Sequence, residues 1–162
     1  MTTMNHKKRR AITVFVHDKP GVLNKISMLI RHKMYNVETL TVSATVQRGY
    51  SRITLTLYED DDRKTRQVIS QIEKMTEVIS ARELDAAQSF WREVALIKFE
   101  ANHKEFDSLV DKYGFEVLDK QDEGVYIVQL ASISKNIDDL LSDLGGDKVI
   151  DVARSGFTAL ER

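Results

Sequence analysis

Residues 11–30 read AITVFVHDKPGVLNKISMLI, in which a strand pattern, a short turn and a helix pattern follow one another. At the start, Ile12, Val14 and Val16 alternate with other residues, which predicts a strand with one wholly apolar face. In the last part, apolar residues recur at helical spacing opposite polar ones, which predicts an amphipathic helix. Pro20 is predicted to take the first helical position, because its fixed φ suits a helix and its missing N–H would have no partner there.

The turn between the two patterns, residues 18–23, combines donors for an acid with an acceptor for an amine. N–H groups at a helix N-terminus lack helical partners and carry partial positive charge, so they can hold a carboxylate. Asp18 offers an acceptor for an ammonium group, and Gly21 has no side chain to keep a ligand from the backbone. This pairing suits a free α-amino acid. The alternative is that Asp18 only caps the helix and Gly21 only eases a tight turn.

One order of elements occurs twice along the chain. The first half is predicted to contain strands at 12–17, 35–45, 53–58 and 77–84, with helices that begin near residues 20 and 59. The second half is predicted to contain strands at 94–99, 115–119, 124–130 and 149–152, with helices at 103–112 and 133–144. Two consecutive βαββαβ units predict an α+β protein of two tandem ferredoxin-like domains, each with a four-stranded antiparallel sheet and two helices on one face.

The predicted domain boundaries follow from this repeat. They are a basic N-terminal tail at 1–10, a first domain at 11–84, a linker at 85–91 and a second ferredoxin-like domain at 92–162. The cations Lys7, Lys8, Arg9 and Arg10 of the tail could contact phosphates, although such a cluster is more often solvated. Domains this small need a neighbour or a second copy to bury enough surface, so oligomerisation is expected.

Composition argues against several classes of protein. The 162 residues contain 24 Lys and Arg against 25 Asp and Glu, a net charge of -1, which gives no electrostatic case for nucleic acid or membrane surfaces. Without cysteine there is no disulfide, thiolate metal site or cysteine nucleophile. His6, His17, His32 and His103 are scattered, so no metal site and no catalytic residue is predicted. No apolar run has the length of a signal peptide core or a membrane span, so a soluble cytoplasmic protein is expected.

An alternative from another class rests on residues 48–55, RGYSRITL, which partly match the central motif of RNA-recognition domains. Those domains stack bases on aromatic rings across the sheet. Tyr50 supplies one such ring, whereas Arg52 and Leu55 stand where further aromatic residues are needed. RNA binding on an open sheet face therefore stays as an alternative.

Two sets of residues carry a resemblance to known families. Within residues 11–42, the matching positions are Asp18, Pro20, Gly21, Leu23, Asn36, Val37 and Glu38. This part resembles an ACT domain, a small ligand-sensing module that binds amino acids. Further matches at residues 35–42, 51–54, 92–98 and 152–160 extend the likeness over nearly the whole chain. With them, the chain resembles the small regulatory subunits of acetolactate synthase, also called acetohydroxyacid synthase.

The resemblance implies a regulatory subunit that is not an enzyme by itself. Such a subunit binds the large catalytic subunit, raises its activity and confers feedback inhibition by valine in the biosynthesis of valine, leucine and isoleucine. No cofactor is expected in this chain, whereas thiamine diphosphate, FAD and magnesium are expected in the catalytic partner. A stand-alone ACT sensor that regulates another enzyme remains an alternative.

The resemblance also implies where the ligand binds. ACT domains of this family pair edge to edge as a homodimer, and valine lies between the two copies. Carried over to this chain, one side of the valine site would be formed by Asp18, Gly21, Val22 and Leu23, and the other by Asn36 and Val37 of the second copy.

Overall fold

The computed structural model describes residues 8–162, which divide into two compact units. The first consists of the chain up to Phe90 together with Phe157–Arg162, and the second is Trp91–Gly156. Each unit contains a four-stranded antiparallel sheet with two helices, so the predicted α+β class with tandem ferredoxin-like units is confirmed. No helix in the described part of the chain is long and apolar enough to cross a membrane.

The first unit follows the predicted order of elements. Its elements are β1 (Arg9–His17), α1 (Val22–His32), β2 (Val37–Ala44), β3 (Tyr50–Tyr58), α2 (Asp62–Glu73) and β4 (Val78–Glu83). The strands lie in the order β2-β3-β1-β4, all neighbours antiparallel, with Val14 opposite Ile53 and Ile53 opposite Val42. Strands β1 and β2 therefore run in the same direction on either side of β3.

The core of the first unit lies between one face of this sheet and the two helices. Alternate residues of β1 and β3 point to this face and pack against α1 and α2 in one cluster of buried side chains: Ile12, Val14, Val16, Val22, Ile26, Ile30, Ile53, Leu55, Leu57, Val68, Ile72 and Ala81. The period of two in the strands and of nearly four in the helices is what buries these residues together.

Helix α2 begins with a side-chain cap. The Asp61 carboxylate accepts hydrogen bonds from the backbone N–H groups of Arg63 (2.8 Å) and Lys64 (3.4 Å). Asp61 thus satisfies helix N–H groups, which agrees with the expected start of a helix at the acidic run 59–62.

Replacing Asp61 by alanine should lower the free energy of unfolding of the first unit by about 1 kcal/mol, because two donors lose their acceptor. Urea unfolding followed by circular dichroism would measure the change. Asp61→Asn, which keeps an acceptor oxygen, should stay within a few tenths of a kcal/mol of wild type. Equal losses in the two variants would contradict the capping role.

The second unit repeats the order of the first. Its elements are β5 (Ser89–Glu100), α3 (His103–Tyr113), β6 (Glu116–Lys120), a 3-10 turn (Asp122–Gly124), β7 (Val125–Ser132), α4 (Ser134–Leu144) and β8 (Val149–Arg154), with strand order β6-β7-β5-β8. Its core is aromatic: the rings of Phe106 and Tyr126 stack with centroids 3.8 Å apart, and Phe99 meets Phe115 edge-on at 6.3 Å.

The chain termini differ from the predicted boundaries. Arg9 and Arg10, assigned to a basic tail, begin β1, and the buried Arg10 guanidinium pairs with Asp62 and Glu83. Lys7 lies outside the described residues. In the predicted linker, Asp85 closes a turn by accepting from the Ala87 N–H (2.9 Å), and β5 already starts at residue 89. The structure therefore has strands at residues 9–10 and 89–91, where the sequence predicted a tail and a linker.

A ninth strand, β9 (Thr158–Glu161), lies beyond the predicted elements and groups with the first unit, although the predicted second domain runs to residue 162. It pairs with β5. Ala159 of β9 and the preceding Phe157 contact the sheet face of the first unit that carries no helices. There the Thr41 hydroxyl donates to the Phe157 carbonyl (2.8 Å) and the Arg52 guanidinium to the Ala159 carbonyl (3.4 Å). The open face of this sheet is thus covered by the end of the chain.

Candidate functional site

The turn after β1 is anchored on both sides by backbone hydrogen bonds. The His17 N–H donates to the Glu77 carbonyl and the Asp18 N–H donates to the Gly49 carbonyl, both at 2.8 Å. The His17 and Tyr50 rings lie 5.1 Å apart between centroids. Because Gly49 belongs to the turn between β2 and β3, Asp18 is held at the end of the sheet where β1 and β2 finish.

Helix α1 starts two residues later than predicted. Gly21 is its N-cap with a φ of 86°, and the Lys25 N–H donates to the Gly21 carbonyl at 3.0 Å. Pro20 therefore precedes the helix, and its predicted position as the first helical residue is wrong. The physical reason is that the left-handed Gly21 reverses the chain at this point, which only glycine does at little cost.

The start of α1 leaves backbone donors available. Gly21 provides no side-chain cap, and the Val22 N–H makes a long bond of 3.4 Å to the Lys19 carbonyl. Within residues 8–162, the N–H groups of Leu23 and Asn24 meet no acceptor. The alternative in which Asp18 caps the helix is therefore not what the structure adopts. These two N–H groups lie at the positive end of the helix dipole and remain exposed beside Asp18.

The side chains of the predicted residues divide between core and surface. Asp18, Gly21 and Leu23 are exposed, whereas the Val22 side chain is buried in the core. Only the backbone of Val22 can therefore face a ligand.

A nearby cation is already paired. The Lys25 ammonium forms an ion pair with Glu77, and the hydrogen bond from Lys25 is the main cause that holds the pKa of Glu77 below its usual range. The Lys25 ammonium is thus engaged by Glu77 rather than by Asp18.

The other two predicted residues line a surface groove at the start of β2. The groove has a volume of about 540 Å³ and is lined by Ser27, Ile30, Arg31, Met34, Tyr35, Asn36, Val37 and Leu40. Asn36 is exposed and Val37 half-buried. Burial raises the pKa of the Tyr35 hydroxyl, and the charges of Glu59 and Asp61 raise it further.

The two halves of the predicted site lie at opposite ends of the sheet in one chain. His17, just before Asp18, is opposite Tyr50, whereas Val37 is opposite Leu57. Seven residues of β3 separate these positions, which is roughly 23 Å at about 3.3 Å per residue. The structure therefore brings Asp18, Gly21 and Leu23 together but does not bring Asn36 and Val37 to them.

Met34, which follows the end of α1, lines the same groove as Asn36. Met34 has a φ of 58°, its N–H donates to the Arg31 carbonyl (2.9 Å), and the Tyr35 N–H donates to the Ile30 carbonyl (3.3 Å). This is the left-handed ending of a helix that usually requires glycine. In the sequence, this helix ending is indicated by the short gap between Ile30, the last apolar residue of the helical pattern, and the strand pattern that follows.

Replacing Met34 by glycine should raise the free energy of unfolding by about 1 kcal/mol, because glycine adopts a positive φ without the steric penalty of a Cβ atom. The midpoint of urea unfolding would measure the gain. Met34→Ala keeps the Cβ atom, so it should not become more stable. A glycine variant no more stable than the alanine variant would contradict the strain at this position.

The face needed for RNA binding is occupied. Tyr50 and Arg52 alternate with the core residues of β3 and so point to the face opposite the helices. The Arg52 guanidinium lies 4.7 Å from the centroid of the Phe15 ring and also contacts Ala159. Phe157 is only 3% exposed, with the Arg9 guanidinium 4.9 Å from its ring centroid. Bases could stack on this face only if the chain terminus left it.

Comparison with known proteins gives a consistent result for both units. Residues 12–80 match the family described as AHAS small subunit-like ACT domain, and residues 92–162 match the family described as small subunit of acetolactate synthase. The chain is 30% identical to the acetolactate synthase isozyme 3 small subunit of Salmonella typhimurium, over 95% of this chain and 96% of that protein. It is 29% identical to the acetolactate synthase small subunit of Bacillus subtilis, over 95% of this chain and 91% of that protein.

A solved structure shares the whole fold. The crystal structure of the acetolactate synthase small subunit from Thermotoga maritima superimposes with a TM-score of 0.87 at 26% identity, covering 96% of this chain and 98% of that one. The similarity therefore extends through both units and is not confined to the ACT domain.

Proposed function

Because this chain belongs to the family of acetolactate synthase small subunits, we propose that it binds valine and transmits feedback inhibition to a large catalytic subunit. The chain is a regulatory subunit, and catalysis resides in the large subunit. We expect thiamine diphosphate, FAD and magnesium to be bound by that partner.

The observation that carries the proposal is the unsatisfied start of α1 beside Asp18. The N–H groups of Leu23 and Asn24 are free within the described residues, and Gly21 leaves open space where a Cβ atom would project. The carboxylate of valine would accept from these N–H groups, and its ammonium group would approach the Asp18 carboxylate. One corner would thus hold both charges of an α-amino acid.

A second copy of the chain would supply the apolar part of the site. Strand β2 lies at the edge of its sheet, with no partner on its outer side in the described part of the chain, and it exposes Leu40 and Val42. An edge strand of this kind readily pairs with another chain. Antiparallel pairing of β2 with its copy would bring the start of one β2 to the end of the other. Asn36 and Val37 of one copy would then lie at the same end of the joined sheet as Asp18 of the other.

Regulation requires that valine binds two arrangements of the complex with different affinity. Valine would then change the affinity between the subunits by some factor. By thermodynamic linkage, binding of the large subunit must change the affinity of this chain for valine by the same factor. This reciprocity gives the proposal a test that does not depend on knowing the contact surface.

Calorimetric titration of the full chain with valine, leucine and isoleucine would test the sensor, and repeating it with the acetolactate synthase large subunit of the same organism would test coupling. We expect saturable valine binding whose dissociation constant changes in the mixture. Valine binding without stimulation of the large subunit would favour a stand-alone ACT sensor. Stimulation without binding of any of the three amino acids would mean that the chain activates but does not sense. Salt-dependent RNA binding that is lost in Tyr50→Ala would favour the RNA alternative instead.

A further inference from the structure

Met34 combines a left-handed backbone with a highly exposed apolar side chain. Its backbone is in the left-handed region, with a φ of 58°, and it is 91% exposed. Glycine at this position would relieve the backbone strain. The Met34 side chain contributes little to the core of its own chain, because it is so exposed. Strained positions of this kind tend to occur at ligand-binding sites, where the side chain has a use that the isolated chain does not show.

The surroundings of Met34 indicate what that use is. Met34 lines the groove that also contains Asn36 and Val37, the residues expected to face a ligand held by the second copy. Ile30 and Leu40 add further apolar lining. In the proposed dimer, Asp18 and the start of α1 of one copy engage the charged groups of the amino acid. The side chain of the amino acid would therefore point towards the Met34 groove of the other copy.

We propose that Met34 determines specificity by limiting the size of the amino-acid side chain that the dimer accepts. This inference rests on the proposed valine site. An unbranched thioether side chain adapts its shape to fill irregular apolar space. With Met34 in place, the groove would suit the short side chain of valine, and shortening Met34 would leave room for one more methylene group, as in leucine.

The test is calorimetric titration of the full chain with valine and with leucine, in wild type, Met34→Ala and Met34→Gly. Met34→Ala shortens the side chain but keeps the Cβ atom and the strain, whereas Met34→Gly removes both. We expect the affinity ratio of leucine to valine to rise about 10-fold in both variants, the effect of one methylene group in an apolar pocket. The matched control is Met28→Ala on α1, because Met28 is exposed and lines a different groove. That control should keep the wild-type ratio.

Each outcome decides the inference. A ratio that is unchanged or lower in both variants, while valine still binds, overturns the role of Met34 and leaves the proposed function intact. A change in Met34→Gly alone would assign the effect to the backbone and would also overturn it. Leucine binding gained only when Met34 is shortened would support it. Failure of all three proteins to bind either amino acid would overturn both the inference and the valine site.

Discussion

Gly21→Asp is expected to weaken valine binding by about 100-fold or more, while stimulation of the large subunit persists. A carboxylate at this position would stand at the start of α1, where the ligand carboxylate is proposed to bind. Two like charges about 4 Å apart repel by about 4 kcal/mol at the effective dielectric of a protein surface, which exceeds the roughly 2.7 kcal/mol that a 100-fold loss requires. Calorimetry would measure binding, and an acetolactate synthase assay with and without valine would measure regulation.

A matched control is needed because any side chain at Gly21 also strains the backbone. Gly114 ends α3 in the second unit with a φ of 62°, and no atom lies within 4 Å of the place where its Cβ would be built. Gly114→Asp therefore adds the same charge and a similar strain within the second unit, which contains none of the proposed site residues. It should bind valine as wild type does. If Gly21→Asp remains fully sensitive to valine, the ligand site has been placed wrongly.

Arg154→Ala is expected to destabilise the second unit by about 3 kcal/mol. The Arg154 guanidinium binds the Glu93 carboxylate through two bonds, Nε to Oε1 at 2.9 Å and Nη2 to Oε2 at 2.6 Å. Its Nη1 also donates to Asp138 at 2.7 Å, and the Ser134 hydroxyl donates to Glu93 at 2.9 Å. These contacts join β5, β8 and α4. The hydrogen bonding of the guanidinium to the Glu93 carboxylate, which accepts, is the main cause that raises the pKa of Arg154.

The size of this effect comes from what the substitution leaves behind. The Glu93 side chain is only 2% exposed, whereas that of Arg154 is 31% exposed. Breaking a buried ion pair by removing one partner typically costs about 3 to 5 kcal/mol, and the partial exposure of Arg154 favours the lower end. Urea unfolding of the full chain, followed by hydrogen exchange of β5 and β8, would locate and measure the loss.

A double variant separates the buried charge from the loss of packing. Glu93→Leu combined with Arg154→Met removes both charges and should recover much of the stability, since the buried carboxylate is removed together with its cation. The control is Lys112→Ala, which breaks the exposed ion pair with Asp143 and should leave the urea midpoint of unfolding at the wild-type value. If Arg154→Ala behaves like Lys112→Ala, the cluster does not hold the three elements together.

The sequence by itself determined the elements of the two βαββαβ units and their order, because these depend on short-range periodicity. Alternation in β1 and the helical spacing in α1 place their apolar residues on one side whatever the rest of the chain does. The same local patterns in the second half were enough to predict a repeat. The proposed roles of Asp18 and Gly21 also come from local sequence, since a helix start follows directly after the strand pattern.

Only the tertiary structure decided where these elements meet. The contact between Thr41 and Phe157 joins residues 116 positions apart, and no local pattern indicates that the last strand returns to the first unit. Gly21 and Met34 both have a left-handed backbone, which depends on how α1 packs between β1 and β2. This conformation at Gly21 is why α1 begins after Pro20, and at Met34 it accompanies an exposed side chain. The separation of Asp18 from Asn36 likewise follows from strand order. These features depend on the free energy of long-range packing, which sequence periodicity does not encode.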